Sequence, residues 1–307
     1  MSTTPQYMHE RQALRFVDPQ VLARIDNLDL LARWVVDGFI SGLHRTMHLG
    51  FSTDFAEHRA YTPGDDVRRL DWLVYARTDR LYVKTFEAET NADVVTVIDV
   101  SRSMDFASDG VTKLDYAKFL AASITHLGAR QRDRVGMATF DDDLRGWIPP
   151  AARHRDTILR TLDNVSASAA GEIEVPLERL TSLLSRRSIV VLISDFYATP
   201  EDLGNSLGLL GAAGHDVIVV QILDPLELDF GLHGDDVLED LESGERIALD
   251  PDTIRSQYLE QIHAHTRSLE TLCSERRIDY ACFNTAMPLD HALFSYLSQR
   301  ARLARRR

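Results

Sequence analysis

The sequence predicts an α/β fold: a doubly wound, mostly parallel sheet with helices on both faces and an N-terminal appendage. Three observations predict it. Short apolar runs rich in β-branched residues recur at Val94–Ile98, Ile189–Ile193 and Val217–Ile222, and such runs suit strands buried on both faces. Segments with helical spacing separate them, an alternation that favours parallel strands joined by helical crossovers. Two of the runs end on a carboxylate, Asp99 and Asp195, where open α/β sheets bind their ligands. We divide the chain into residues 1–91, the appendage, and 92–307, the sheet domain, with an acidic insertion at 224–252.

Composition narrows the function. The chain has 307 residues, 44% hydrophobic and 26% charged, which is enough for a sizeable core. A net charge of −13 disfavours binding to nucleic-acid phosphates. Cys273 and Cys282 offer no disulfide framework and fit a reducing compartment. The N-terminus shows no basic patch before an apolar core, so no secretory signal is read there. The apolar stretch Trp34–Ile40 is too short to span a bilayer and carries Asp37, so no membrane insertion is predicted. A cytoplasmic protein is the expectation.

In chain order, residues 1–17 read as a loose arm. Asp18-Pro19 starts a helix, with a cap before a first-turn proline. Val21, Leu22, Ile25, Leu28 and Leu31 fit one or two short helices ending about Val36, after which Gly38, Gly42 and Gly50 loosen the chain. The stretch 54–72 is dense in polar and aromatic residues, with a turn at Pro63-Gly64. Arg59, Asp65, Arg68 and Asp71 there, with Arg77 just beyond, form either a binding surface or an ion-pair network fastening the segment to the sheet. Leu81–Glu89 alternates and reads as a strand.

Lys113–Arg130 is a helix with Leu114, Ala117, Leu120, Ala121, Ile124 and Leu127 on one face. Arg134–Phe140 is a strand of the sheet, either parallel like the others or, as an edge strand, antiparallel. Asp141–Asp143 reads as a solvated turn, and Leu144–Ile148 as a short returning strand. Helices follow at Arg153–Asn164 and Glu172–Arg187, around a small-residue loop at 166–171. Ser188–Ser194 leads to Asp195, and Thr199-Pro200 caps the next helix. That helix places Ser206 of Gly204-Asn-Ser-Leu-Gly208 in its middle, which excludes a serine-hydrolase elbow.

Residues 224–252 hold eleven Asp or Glu against one Arg, so they read as a solvated insertion or as a docking surface for a basic partner. Ser243-Gly244 marks a hairpin tip between Val237–Leu241 and Arg246–Leu249. Asp250-Pro251 starts a long helix striped by Ile254, Tyr258, Ile262, His265, Leu269 and Leu272. Asp279–Asn284 is the last strand and Pro288–Arg305 the last helix, ending in a basic tail. His263, His265 and His291 lack paired ligand spacing, so no zinc site is read.

The chemistry concentrates after Val94–Ile98. Asp99, Ser101 and Ser103 place a carboxylate and two hydroxyls on one loop. Mg²⁺ takes such hard oxygens in octahedral geometry and keeps waters that a partner's carboxylate can replace. Three functions fit: a cation-dependent binding module, a cation-free scaffold, and phosphoryl transfer with Asp99 as nucleophile. The last needs a general acid two residues on, where Ser101 stands, and there is no phosphate loop carrying Lys-Ser/Thr.

The Asp99-Val-Ser101-Arg-Ser103 loop, with Asp195 ending a later strand, resembles a von Willebrand factor type A domain. The resemblance implies a divalent cation, Mg²⁺ or another, on Asp99, Ser101, Ser103 and Asp195. The family's second-loop Thr has no counterpart here, and Gly171 stands about where it belongs. The stretch Arg59–Trp72, then Ala76-Arg77 and Val83–Glu89, resembles the domain of unknown function 58 family, DUF58. That likeness covers about residues 45–200. It implies a non-enzymatic adaptor acting with a MoxR-type AAA+ ATPase and its client protein in chaperone-like assembly or metal-centre maturation.

Overall fold

The computed structural model describes residues 18–24, 27–45, 57–60, 75, 77, 80–85, 92–168, 171–231, 237–239, 246–248, 251–293 and 295–296. Its centre is a six-stranded sheet whose strands, from edge to edge, are β10 (Asp279–Asn284), β7 (Asp216–Leu223), β6 (Ser188–Ser194), β3 (Asp93–Asp99), β4 (Arg134–Phe140) and β5 (Leu144–Ala151). Strand β3 (Asp93–Asp99) lies between β6 (Ser188–Ser194) and β4 (Arg134–Phe140) and runs parallel to both. Beyond β6 lie β7 (Asp216–Leu223) and β10 (Asp279–Asn284), also parallel. Their carboxyl ends therefore share one edge, and the loops leaving that edge meet.

The unbroken apolar runs follow from covered faces. Side chains alternate along a strand. Val94 and Ile98 enter one core, with Ile189, Val191 and Ile193 of β6. Val95 and Val97 enter the other, with Val190 and Leu192. The first core is closed by α2 (Leu28–Arg45), α3 (Lys113–Arg130) and α4 (Arg155–Asp163). The second is closed by α5 (Glu174–Leu183), α6 (Pro200–Ala212) and the long α8 (Pro251–Glu275). Between β7 and α8 come a short helix, α7 (Pro225–Asp229), and the hairpin β8 (Val237–Glu239) with β9 (Arg246–Ala248). A one-turn helix, α1 (Pro19–Leu22), carries the expected Asp18 cap.

Several expectations change. β4 is internal and parallel; the antiparallel edge is β5 (Leu144–Ala151), whose Pro149 and Pro150 suit an edge strand. α2 does not stop near Val36 but continues through Gly38 and Gly42 to Arg45. Leu28, Leu31, Ala32, Val35 and Val36 are buried in the first core. That packing outweighs the roughly 0.5–1 kcal/mol each helical glycine costs against alanine. The run 141–143 is not all solvated: Asp141 is fully buried. The 81–89 strand is seen as β2 (Tyr82–Thr85), antiparallel to β1 (Glu57–Ala60). Residues 289–293 and 295–296 are helical, and the rest of the predicted last helix lies outside the described residues. Among the described residues no helix is long and apolar enough to cross a membrane.

Candidate functional site

Asp99 ends β3 in the middle of the sheet and is nearly buried. Its Oδ1 accepts the Ser101 amide at 2.8 Å, which turns the chain sharply off the strand. Its Oδ2 accepts the Ser194 hydroxyl at 2.6 Å, and that hydroxyl accepts the Phe196 amide at 2.9 Å. Asp99 thus ties the ends of β3 and β6 together. The hydroxyls of Ser101 and Ser103 lie 3.0 Å apart. One turn of 3₁₀ helix, Arg102–Asp105, follows and is pinned by the fully buried Met104.

Asp195, at the end of β6, does not stand open to this loop. Its Oδ2 accepts a hydrogen bond from Lys113 Nζ at 2.8 Å, and the same ammonium donates to Glu227 Oε1 at 2.7 Å. The Lys113 side chain is 1% exposed and lies beside the Tyr197 ring, 5.0 Å from its centroid. Lys113 opens α3, where the helix dipole disfavours a cation. Burial also works against its charge, but the carboxylates of Asp195 and Glu227 more than offset this and raise its pKa. Burial raises Glu227, against the opposing pull of Lys113. Burial first, and the like charge of Asp195 second, push Asp99 up to about 6.

The surrounding loops are fastened in turn. Phe196 adopts a left-handed φ of 57°, a strained conformation for a bulky residue. The bend is held by a hydrogen bond between His265 Nε2 and the Phe196 carbonyl at 2.9 Å. Gln221 Nε2 donates to the Asp195 carbonyl at 2.9 Å and takes the Tyr280 hydroxyl on its own oxygen. Asp224, fully buried at the end of β7, accepts from both the amide and the hydroxyl of Ser108. It also caps α7 in a capping box with Glu227. At the end of β4, Asp141 accepts the Ser168 hydroxyl and pairs with Arg145. Burial opposes its charge, yet the Ser168, Asp143 and Arg145 contacts hold its pKa well below the usual carboxylate range.

The four residues expected as cation ligands are therefore gathered at one edge, but they do not fit a resident divalent cation. Asp195 is already neutralised by an ammonium, and both Asp99 oxygens accept hydrogen bonds. Gly171 does lie where the second loop should come. A Cβ there would fall 2.8 Å from Ser101 Cβ and 3.9 Å from Asp99 Oδ1, so no threonine can stand at that place without displacing Ser101. Among the described residues no three His, Cys, Asp or Glu group as metal ligands.

The second set of candidates is largely out of view. Asp65, Arg68 and Asp71 lie outside the described residues, as do residues 232–236, 240–245 and 249–250 of the acidic stretch. Arg59 sits in β1 opposite Val83, and Arg77 is exposed. Sequence reasoning missed Lys113, Ser194, Asp224 and Glu227. The capping pattern Asp224-Pro225-x-Glu227 was the available signal, hidden inside the acidic run.

The sequence model of the family described as "Protein of unknown function DUF58" matches residues 57–268. An uncharacterized protein of Mycobacterium tuberculosis is 32% identical over 273 residues, covering 86% of this chain and 85% of the relative. Among solved structures, the conserved hypothetical protein BatB from Bacteroides thetaiotaomicron is similar, with a TM-score of 0.48 and 16% identity. The alignment covers 70% of this chain and 99% of BatB. The SpRpn10 VWA domain is similar with a TM-score of 0.41 and 10% identity, over 66% of this chain and 93% of that domain.

Proposed function

The chain belongs to the DUF58 family, and from that membership and the carboxyl-edge site we propose a non-enzymatic protein–protein interaction adaptor. Its proposed partner is a MoxR-type AAA+ ATPase together with a client protein, in chaperone-like assembly or maturation. One observation carries the choice of surface. Asp99 anchors the loop by accepting the Ser194 hydroxyl of β6 and the Ser101 amide, and the loop turns Arg102, Asp105 and half-buried Ser103 outward. Tyr197, 48% exposed, stands beside it.

The non-enzymatic reading is supported by the state of Asp99. Both of its oxygens are engaged, and Ser101 occupies the place where a phosphoryl-transfer general acid belongs. Of contact through a divalent cation and contact without one, the Lys113–Asp195 pair and the closed space at Gly171 favour the second. The cytoplasm is the proposed location, in keeping with two free cysteines.

The test is a pull-down from the native host's lysate, with wild type and Asp105→Arg as baits, in Mg²⁺ and in EDTA. The expected result is an AAA+ ATPase retained by wild type in both buffers and lost with the variant. Equal retention by both baits moves the contact away from this loop. No ATPase on either bait removes the proposed partner.

A further inference from the structure

We propose that β10 is an open edge that closes on a second copy of this chain, the two β10 strands pairing antiparallel about a two-fold axis. The two edges of the sheet are built differently. β5 carries Pro149 and Pro150 and breaks its register with β4 twice, devices that keep a further strand from adding. β10 reads Asp-Tyr-Ala-Cys-Phe-Asn, with no proline, glycine or lysine, and keeps an unbroken register with β7 along its whole length. Among the described residues no strand pairs with its outer side.

One bond tells which residues face outward. The Thr285 amide donates to the Leu223 carbonyl, so Ala281 and Phe283, in the same alternation, turn their backbone groups to β7. Cys282 and Asn284 turn theirs away from it. The Asn284 carbonyl accepts the Met287 amide, but among the described residues nothing meets the Cys282 N–H and C=O or the Asn284 N–H. Asn284 Oδ1 is buried at the same edge without a donor among those residues.

The strand's own sequence selects the occupant. With Cys282 opposite Cys282 of the second copy, outward groups meet outward groups, and the two residues exchange both backbone hydrogen bonds at a Cα separation of about 5.5 Å. Ala281 then lies opposite Phe283, small against large on the face of the first core. Asp279, the strand's one charge, lies opposite Thr285. The neighbouring register, with Ala281 opposite Ala281, sets that charge against Phe283. A two-fold pair also leaves β5 at both ends of the joined sheet, so no open edge remains.

The experiment measures the mass of the full-length chain by light scattering behind size exclusion, across micromolar concentrations. Wild type is expected at twice the single-chain mass. Cys282→Pro removes the outward N–H and spares every bond to β7, as an edge proline does. It is expected at the single-chain mass with its circular dichroism unchanged, while Cys282→Ala, which keeps the amide, stays dimeric. Where the proline variant fails to fold, hydrogen exchange of wild type serves. The Cys282 amide is expected to gain at least about tenfold in protection between dilute and concentrated protein. Wild type at the single-chain mass throughout, which leaves the edge to a strand of another protein, overturns the proposal. So does a dimer that survives in the folded proline variant, a dimer lost in Cys282→Ala, or a Cys282 amide whose exchange ignores concentration.

Discussion

Strand β3 begins and ends on a nearly buried aspartate, and the two are treated differently. At the amino end, Asp93 faces Arg134 at 3.3 Å, with that guanidinium one-third exposed. Burial raises its pKa while Arg134 and Arg186 pull it down. This is how a strand end is ordinarily secured: a carboxylate, a cation and access to water. At the carboxyl end, Asp99 has hydroxyl and amide donors, and Asp195 as an unfavourable neighbour. The nearby cation, Lys113, serves Asp195 and Glu227 instead. One strand thus separates a structural carboxylate from one held in an arrangement that stability alone does not call for.

The largest effect that sharpens this contrast is expected at Lys113. Lys113→Ala leaves two buried carboxylates without their cation and is expected to cost about 3–5 kcal/mol, read from denaturant midpoints in EDTA. A loss below about 1 kcal/mol would mean that water reaches Asp195 and Glu227.

Asp99 gives the pH signature. Its pKa is raised from 3.8 to about 6, so between those values the folded chain holds a proton that the unfolded chain has lost. Stability is therefore expected to fall as pH rises from about 4 to about 6, by up to about 3 kcal/mol. Asp99→Asn should flatten that slope. An unchanged slope in the variant would place the titration elsewhere.

Gly171→Thr comes next. The added Cβ meets Ser101 Cβ at 2.8 Å, and the overpacking is expected to cost about 1–3 kcal/mol. A neutral result, with Mn²⁺ then bound, would show that the loop yields and that the missing threonine alone kept the ion out. The smallest effect is at the other end of β3. Arg134→Ala is expected to cost no more than about 1 kcal/mol, because a partly exposed pair is screened.

Much of the fold was legible because it is written in periodicity. Val94–Ile98 and its counterparts are apolar throughout because both faces are covered, and that pattern needs no partner to be read. The Asp99 loop was legible for a similar reason, since it lies where a parallel strand's carboxyl end must point, whereas the place of Gly171 was read only from the resemblance to the von Willebrand factor type A family. Lys113 was not. In the sequence it is an ordinary cation at a helix start, and only the fold carries it to Asp195, 82 residues on, and Glu227, 114 residues on. Its position against the helix dipole was the one local hint. Asp141 and Asp224 were hidden in acidic runs, where composition suggests solvent and only topology shows which carboxylate turns inward. The continuation of α2 past Gly38 was misread because local propensity was outvoted by burial upstream of it.

The most direct test of the Lys113 bridge between Asp195 and Glu227 is a crystal structure of the full-length protein grown in millimolar Mg²⁺. The account predicts Lys113 Nζ within hydrogen-bond distance of both Asp195 and Glu227, with no ion at the Asp99 loop. An octahedral ion with oxygens at about 2.1 Å, on Asp99, Ser101 and Ser103, with Lys113 turned away from Asp195, would contradict it.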